Sequence, residues 1–231
     1  MAPQDNSRWS ARPGSFDSLH TSLLFPTDNP LGIPALLHTP TTAIPRWLVP
    51  YRTRIRTTQD DLAEGAVHFF LDDYRFETVW RRPRKALEAL TPYATLLTPD
   101  FSLYRDWPRA AQIWNTYRSR WCGRFWQSLG YRVIPTVAWS TPDSFDFCFL
   151  GVPPNSLVAV SGVGIDFDIP VQRQAFVDGF SAMARRLTPT TVLAYGELPG
   201  NLHEFAEIVT YPTRWEGIQA ARERGMAAHG R

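Results

Sequence analysis

Residues 132–139, RVIPTVAW, and residues 157–161, LVAVS, are the part of the sequence that decides the fold. Both runs are short, almost wholly apolar and rich in β-branched residues, which is typical of strands that are covered on both faces. Three further runs share this character: AVHFFL at 66–71, ATLLT at 94–98 and TVLAY at 191–195. We therefore predict five mainly parallel strands over these five runs.

Helical patterns separate the five runs. Apolar residues recur with helical spacing over about 79–90, 107–129 and 171–187, and a short helical or irregular piece is expected at 143–150. Strands that alternate with helices indicate an α/β fold, in which crossover helices connect parallel strands. The sequence leaves open whether the strands form an open sheet or an incomplete barrel.

The chain of 231 residues fits a single α/β domain, which we place at 29–210. Residues 1–28 are polar and are predicted to be a flexible arm. Residues 29–58 contain five prolines, so they are interpreted as an extended, Pro-rich lead-in to the domain. A C-terminal helix and tail are predicted for 211–231.

Composition narrows the class of protein. The net charge of +2 is too small to imply a polyanionic partner. The two cysteines, Cys122 and Cys148, form no CxxC motif, and they are expected to be buried free thiols in a reducing compartment. No signal peptide is apparent, and no apolar run approaches the ~20 residues that a membrane span requires. We therefore expect a cytoplasmic protein with no membrane partner.

Acidic side chains follow several of the predicted strands. In parallel α/β folds, ligands bind beyond the carboxyl ends of the strands. Asp72, Asp100 and Glu197 lie closest to strand ends, and they are the candidate catalytic residues. Further residues near the same strand ends are candidates for lining or supporting a pocket: Asp73, Arg75, Glu77, Ser102, Trp139 and Ser161.

Converging carboxylates have two chemical uses. They can bind a divalent cation through oxygen ligands, or they can act as general acid and general base when their pKa values differ. The alternative is structural, since acids just after a strand also cap the following helix. The sequence decides neither whether a metal is used nor whether the chain is an enzyme, and a divalent cation is only one possible cofactor.

A second candidate surface is basic and aromatic. No acidic residue occurs between Asp106 and Asp143. This stretch interleaves tryptophans with arginines, of which we single out Arg109, Arg118, Arg120 and Arg124. Helical spacing assigns most of the rings to the core, which leaves an outer face of arginines. Such a face is either a nucleic-acid contact or, more commonly, a solvated charged surface.

Three motifs connect the chain to a family: PDFS at 99–102, IPTVAW at 134–139 and GVPPNS at 151–156. With the surrounding segments, they resemble a domain-of-unknown-function family from phages, plasmids and other bacterial mobile elements. The resemblance covers about residues 30–198 and brings no activity with it. It implies a mobile-element setting, which favours work on nucleic acid. It also implies that these residues belong to the family's pattern: Asp72, Asp73, Asp100, Phe101, Ser102, Trp139 and Gly151.

The leading hypothesis is a mobile-element protein with a carboxylate-rimmed pocket that serves an enzymatic or ligand-binding function. The first alternative is a non-catalytic accessory protein that binds nucleic acid through the arginine face. The second is a protein-interaction module that uses the Pro-rich 29–58 segment.

Overall fold

A computed structural model describes residues 20, 23–40, 44–53, 63–213 and 216 of the chain. Seven short strands occur in these residues, and every pairing between them is parallel. In chain order they are β1 (Trp47–Pro50), β2 (Gly65–His68), β3 (Thr95–Leu97), β4 (Arg132–Ile134), β5 (Leu157–Ser161), β6 (Thr191–Tyr195) and β7 (Ile208–Tyr211). The predicted α/β class with mainly parallel strands is confirmed.

The strands form two open sheets, with the orders β1-β2-β3-β4 and β5-β6-β7. An isolated parallel bridge between Thr136 and Ala159 joins the two sheets, so spatial order follows chain order throughout. No pairing between β7 and β1 closes a barrel among the described residues. Tyr211 nevertheless donates a hydrogen bond from its hydroxyl to the Pro45 carbonyl oxygen, 2.6 Å away, which links the end of β7 to the segment before β1.

One apolar cluster draws side chains from all seven strands. Its buried members include Ala66, Leu97, Ile134, Leu157 and Leu193, and the partly buried Leu48 and Val209 pack against it. A second cluster lies between the four-stranded sheet and its helices, and a third lies beneath the three-stranded sheet. Because both faces of the sheets are covered, the strands are almost entirely apolar.

Two strands were not among the five predicted. β1 lies in the segment that was interpreted as an extended lead-in. The prolines of this segment obscure the sequence pattern of a four-residue strand. Residues 208–211 of β7 were not singled out because the run is short and only partly buried. Both are terminal strands of their sheets, where one side of the backbone needs no partner and the sequence signal is weak.

Four α-helices connect the strands: α1 (Thr78–Arg81), α2 (Pro83–Leu90), α3 (Arg109–Ser128) and α4 (Pro170–Leu187). The helix expected over 79–90 is divided at Arg82, since Pro83 lacks the N–H that would continue α1 and instead begins α2. Short 3₁₀ turns occur at Asp73–Arg75, Pro142–Ser144 and Gly200–Glu204. None of the described helices is long and apolar enough to cross a membrane.

The lead-in packs onto the domain. Leu36 donates its N–H to the Gly151 carbonyl oxygen at 2.9 Å, and Thr39 is 3 % exposed. From the predicted arm, His20 stacks on Trp121 with ring centroids 4.4 Å apart. The rest of the arm before residue 20, and the predicted C-terminal helix beyond residue 216, lie outside the described residues.

Candidate functional site

A cavity of about 840 Å³ opens beyond the carboxyl ends of β2 to β5. This volume lies within the ~300–1,000 Å³ of typical small-molecule sites. Its lining includes six residues singled out from the sequence: Asp72, Arg75, Asp100, Ser102, Trp139 and Ser161.

Asp100 is the acid that the protein environment perturbs most. Burial, together with the negative charge of Asp73, raises the pKa of the Asp100 carboxyl from 3.8 to about 7, against the opposing influence of the Arg120 guanidinium. Among the described residues, the carboxylate of Asp100 makes no hydrogen bond and has no cationic nitrogen within 4.0 Å. The group can therefore both gain and lose a proton near neutral pH.

Arg120, on α3, supplies the positive charge behind Asp100. Its side chain is 2 % exposed and donates hydrogen bonds to three carbonyl oxygens: those of Thr136 at 2.9 Å, Cys148 at 2.9 Å and Leu150 at 3.1 Å. A small hollow of about 20 Å³, lined by both Asp100 and Arg120, separates this network from the cavity. Arg120 thus fixes the chain that follows β4 and places a charge within range of Asp100.

Arg118, two residues earlier on the same helix, performs a similar task. Its guanidinium donates to both oxygens of Glu77 at 2.9 Å and to the amide oxygen of Asn115 at 2.6 Å. Asn115 in turn donates to the Ser102 carbonyl oxygen at 2.7 Å. Asp73 accepts hydrogen bonds from the Ser102 hydroxyl at 2.9 Å and from its N–H at 3.2 Å. This network ties the loops after β2 and β3 together at one side of the cavity.

The apolar wall comes from Trp139 and from helix α4. The rings of Trp139 and Phe176 have centroids 5.1 Å apart, and both residues line the cavity. A Cβ atom on Gly179 would lie 2.1 Å from the Trp139 indole nitrogen, so glycine at this position lets the indole lie against the helix. Phe70 adds a further ring to the lining and stacks on Tyr195 at 5.2 Å.

Besides Ser102, the serines Ser140 and Ser161 line the cavity, and their hydroxyl groups have different surroundings. The Ser161 hydroxyl accepts from the Val163 N–H at 3.0 Å and donates to the Tyr195 carbonyl oxygen at 3.3 Å. Ser140 is 8 % exposed, and its hydroxyl has no partner among the described residues. A buried hydroxyl without a partner costs roughly 1–3 kcal/mol, so Ser140 is suited to bond a ligand.

Two exposed arginines stand in the lining, Arg75 after β2 and Arg105 after β3. Neither has a carboxylate oxygen within 4.0 Å among the described residues. Tyr104 also lines the cavity, is 55 % exposed, and meets the Trp107 ring edge to face at 4.8 Å. The lining therefore contains two guanidinium groups that are not ion-paired with any described carboxylate.

Other residues predicted from the sequence lie elsewhere. Glu197 is exposed after β6 and is not part of the cavity lining. The expected outer face of arginines is not formed as a unit, because Arg118 and Arg120 are 9 % and 2 % exposed. Arg109 is exposed and ion-paired with Asp146, and Arg124 is half-buried over the Phe25 ring.

The side chains of the described residues assemble no group of three or more His, Cys, Asp or Glu suited to hold a metal ion. Asp73 uses its carboxylate on Ser102, and Glu77 uses its carboxylate on Arg118. Asp73 and Glu77 thus have structural roles, whereas Asp72 and Asp100 line the cavity.

The position of Tyr104 and Ser140 just beyond predicted strands already indicated that they could belong to a site, and both line the cavity. Other lining residues carry no such signal. Arg105 lies in a loop whose course no motif indicates. Gln172 and Phe176 come from α4, and the sequence does not specify which face of that helix covers the cavity.

Similar proteins place the chain in a family. The family described as "Domain of unknown function (DUF4417)" matches residues 25–212. The "Gene 1 protein" of Mycobacterium phage D29 is 45 % identical over 217 residues, covering 92 % of this chain and 78 % of that protein. The "Gene 1 protein" of Mycobacterium phage L5 is 42 % identical over 229 residues, covering 99 % of this chain and 97 % of that protein. No solved structure matches the chain. With the match spanning nearly the whole described domain, the chain belongs to the DUF4417 family, and its relatives are phage proteins.

Proposed function

We propose that the protein binds a small polar molecule in the cavity beyond β2 to β5 and exchanges a proton with it through Asp100. The observation that carries the proposal is the state of Asp100: it lines the cavity, lacks a hydrogen-bond partner among the described residues, and has a pKa raised to about 7. Acid–base catalysis is most efficient when the pKa of the group lies near the working pH. Perturbed carboxyl groups in clefts are concentrated at functional sites.

The surroundings of Asp100 fit this role. Asp73 raises the pKa of the carboxyl and Arg120 limits the rise, so both protonation states are accessible in the cell. The networks of Arg118 and Arg120 hold the loops in place, so the group needs little reorganisation when a ligand arrives. Asp72 is a second acid at the same cavity, exposed to solvent and placed to accept hydrogen bonds from a ligand.

Nucleic-acid binding through α3 has weaker support. Two of the four arginines proposed for it are buried, and a third is paired with an acid. A cytoplasmic site of action is part of the proposal. It is supported by two buried cysteines that form no disulfide. Burial raises the pKa of the Cys148 thiol to about 12.

A reactivity experiment tests the role of Asp100. A hydrophobic carbodiimide modifies carboxyl groups in their protonated form. We expect modification of Asp100 near pH 7 that declines as pH rises, read by peptide mass spectrometry, with the signal absent in Asp100→Asn. Labelling of Asp100 that shows no change between pH 5 and pH 9 would contradict the proton-exchange role.

A binding experiment tests the function itself. Ligand-observed NMR with a panel of nucleosides, nucleotides, sugars, sugar phosphates and amino acids should identify a class that binds the full chain. Its affinity should change with pH in the wild type, and this change should disappear in Asp100→Asn. The matched control is Glu197→Gln, which alters an exposed strand-end acid outside the cavity. Failure of every class to bind, or binding indifferent to Asp100→Asn, would overturn the proposal.

A further inference from the structure

We infer that the ligand of this cavity is a nucleoside monophosphate, held with its base against the inner aromatic wall and its phosphate at the two arginines of the mouth. The inference rests on the proposed function and names the ligand class for the same site. Four features carry it: two arginines without a carboxylate partner among the described residues, the aromatic wall, two polar groups that have no partner in the same part of the chain, and the acids in or next to the lining segments.

The arginines provide the anion site. Arg75 and Arg105 come from different loops, line the same cavity, are exposed, and have no carboxylate within 4.0 Å among the described residues. Guanidinium groups bind phosphate through paired N–H donors, and two of them on separate loops can contact a single phosphate. The other arginines near the cavity are already occupied: Arg118 by Glu77, and Arg120 by backbone carbonyl groups. Arg75 and Arg105 are thus the pair in the lining that is free to bind an anion.

The inner wall provides a surface for a flat ring. Phe70, Trp139 and Phe176 all line the cavity, and the last two are in ring contact. Bases stack on aromatic side chains with about 1–3 kcal/mol per base. A free phosphate ion gains nothing from such a wall, and a sugar phosphate has no flat ring to stack on it.

Polar groups stand in the same lining to meet the edge of a base. Ser140 is more than nine-tenths buried, and its hydroxyl has no partner within the described part of the chain. The Asp100 carboxyl lines the same cavity and has no cationic nitrogen within 4.0 Å in that part of the chain. Base edges present donors and acceptors side by side, which is what a hydroxyl and a carboxyl recognise together. Asp72 is placed in the lining to accept hydrogen bonds from ribose hydroxyls, a use that carboxylates have in dinucleotide sites.

Charge around the mouth favours a single nucleotide over a strand. Asp72 lines the cavity, and exposed Asp106, Asp166 and Asp168 lie in the segments that follow its lining residues. A nucleic-acid strand would bring several phosphates close to these acids, and a strand-binding groove is usually lined with positive charge instead. One phosphate at Arg75 and Arg105 avoids this repulsion.

Calorimetric titration of the full chain tests the inference. The probes are the four common nucleoside 5′-monophosphates, the corresponding nucleosides, and ribose 5-phosphate. At least one monophosphate should bind about tenfold or more tightly than both its nucleoside and ribose 5-phosphate, because only it uses both ends of the site. Arg75→Gln with Arg105→Gln should reduce that affinity to the level of the nucleoside.

The control is Arg132→Gln, which removes an exposed arginine at the amino end of β4, away from the cavity mouth. It should leave the titration unchanged. Trp139→Ala should weaken the nucleoside and the monophosphate alike while leaving ribose 5-phosphate unaffected. Circular dichroism of each variant checks that it is folded, and Phe176→Leu repeats the test of the wall if Trp139→Ala is not.

Three results would overturn the inference: no monophosphate binds more tightly than its nucleoside, the double arginine variant binds as well as the wild type, or a single-stranded oligonucleotide binds more tightly than any monophosphate. A sugar or amino acid whose binding depends on Asp100 would leave the proposed function standing and remove this ligand class. Absence of binding by every compound, nucleotides included, would remove both.

Discussion

The carboxyl edges of the two sheets differ, although each carries an acid directly beyond a strand. Asp100, after β3, is enclosed by the loop after β2, by α3 and by the chain beyond β4, and its pKa is raised to about 7. Glu197, after β6, is exposed and outside the cavity. The difference comes from α3, because the guanidinium groups of Arg118 and Arg120 on this helix donate hydrogen bonds to the loops of the first sheet. We infer that an acid at a strand end acquires a perturbed pKa only where neighbouring loops enclose it.

Replacing Arg120 should have the largest effect on the difference between the two sheet edges. Arg120→Met leaves three buried carbonyl oxygens without their donor, and we expect the free energy of unfolding to fall by about 3–5 kcal/mol. Urea unfolding measures the loss. Arg105→Met is the control, since its exposed side chain should change stability by less than about 0.5 kcal/mol. Equal stability of the two variants would show that Arg120 does not hold this edge together.

Enlarging Gly179 tests the wall that α4 contributes to the cavity. In Gly179→Ala the new methyl group meets the Trp139 indole, so the ring must shift, and stability should fall by about 1–3 kcal/mol. Near-ultraviolet circular dichroism should also change, because Trp139 moves. Gly200→Ala introduces a methyl group with no atom within 4 Å, and it should be close to neutral. A neutral Gly179→Ala would mean that the wall is not closely packed.

Replacing Asp100 by asparagine tests whether its carboxyl contributes to stability differently from that of Glu197. The pKa of Asp100 is higher in the folded state than the ordinary value of 3.8, so the folded state holds this proton more tightly. The favourable contribution of the Asp100 carboxyl to the free energy of unfolding is fully present below about pH 4 and is lost as pH rises through about 7. Asp100→Asn should therefore gain roughly 1–3 kcal/mol over the wild type between pH 5 and pH 8.

The measurement is the difference in unfolding free energy between variant and wild type at each pH. Glu197→Gln, at the exposed position, should show a difference that stays within about 0.5 kcal/mol across the same range. If Asp100→Asn gives a similarly flat difference, the environment of Asp100 does not perturb it and the two edges are alike.

The smallest effect is expected at Ser140, and its sign is informative. Ser140→Ala removes a buried hydroxyl that has no partner among the residues the structure describes, so stability should stay the same or rise by up to about 1 kcal/mol. Ser144→Ala is the matched change. Its hydroxyl accepts from the Ser140 N–H at 3.0 Å and donates to the Thr141 carbonyl oxygen at 2.7 Å, so about 1 kcal/mol should be lost. A loss at Ser140 as large as that at Ser144 would show that the Ser140 hydroxyl is satisfied without a ligand.

The fold class, and the strand ends at which the candidate cavity lies, could be predicted from the sequence. β5 and β6 begin and end where their apolar runs do, because a buried parallel strand permits few polar residues. The rule that ligands bind beyond strand ends then selected Asp72, Asp100, Ser102, Trp139 and Ser161, which all line one cavity. The match of the family to residues 25–212 confirms the resemblance that PDFS, IPTVAW and GVPPNS indicated.

The chemical differences among these groups depend on tertiary contacts that no sequence pattern indicates. Arg118 and Arg105 are the same residue type, yet one is buried against Glu77 and the other is exposed and lines the cavity. Asp100 and Glu197 are both strand-end acids, yet Asp100 lines the cavity and has a pKa raised to about 7, whereas Glu197 is exposed and lies outside the cavity lining. Periodicity assigns a residue to a face of its own element. Burial, charge neighbours and hydrogen-bond partners come from other elements distant in sequence, and these set the protonation and reactivity of a side chain.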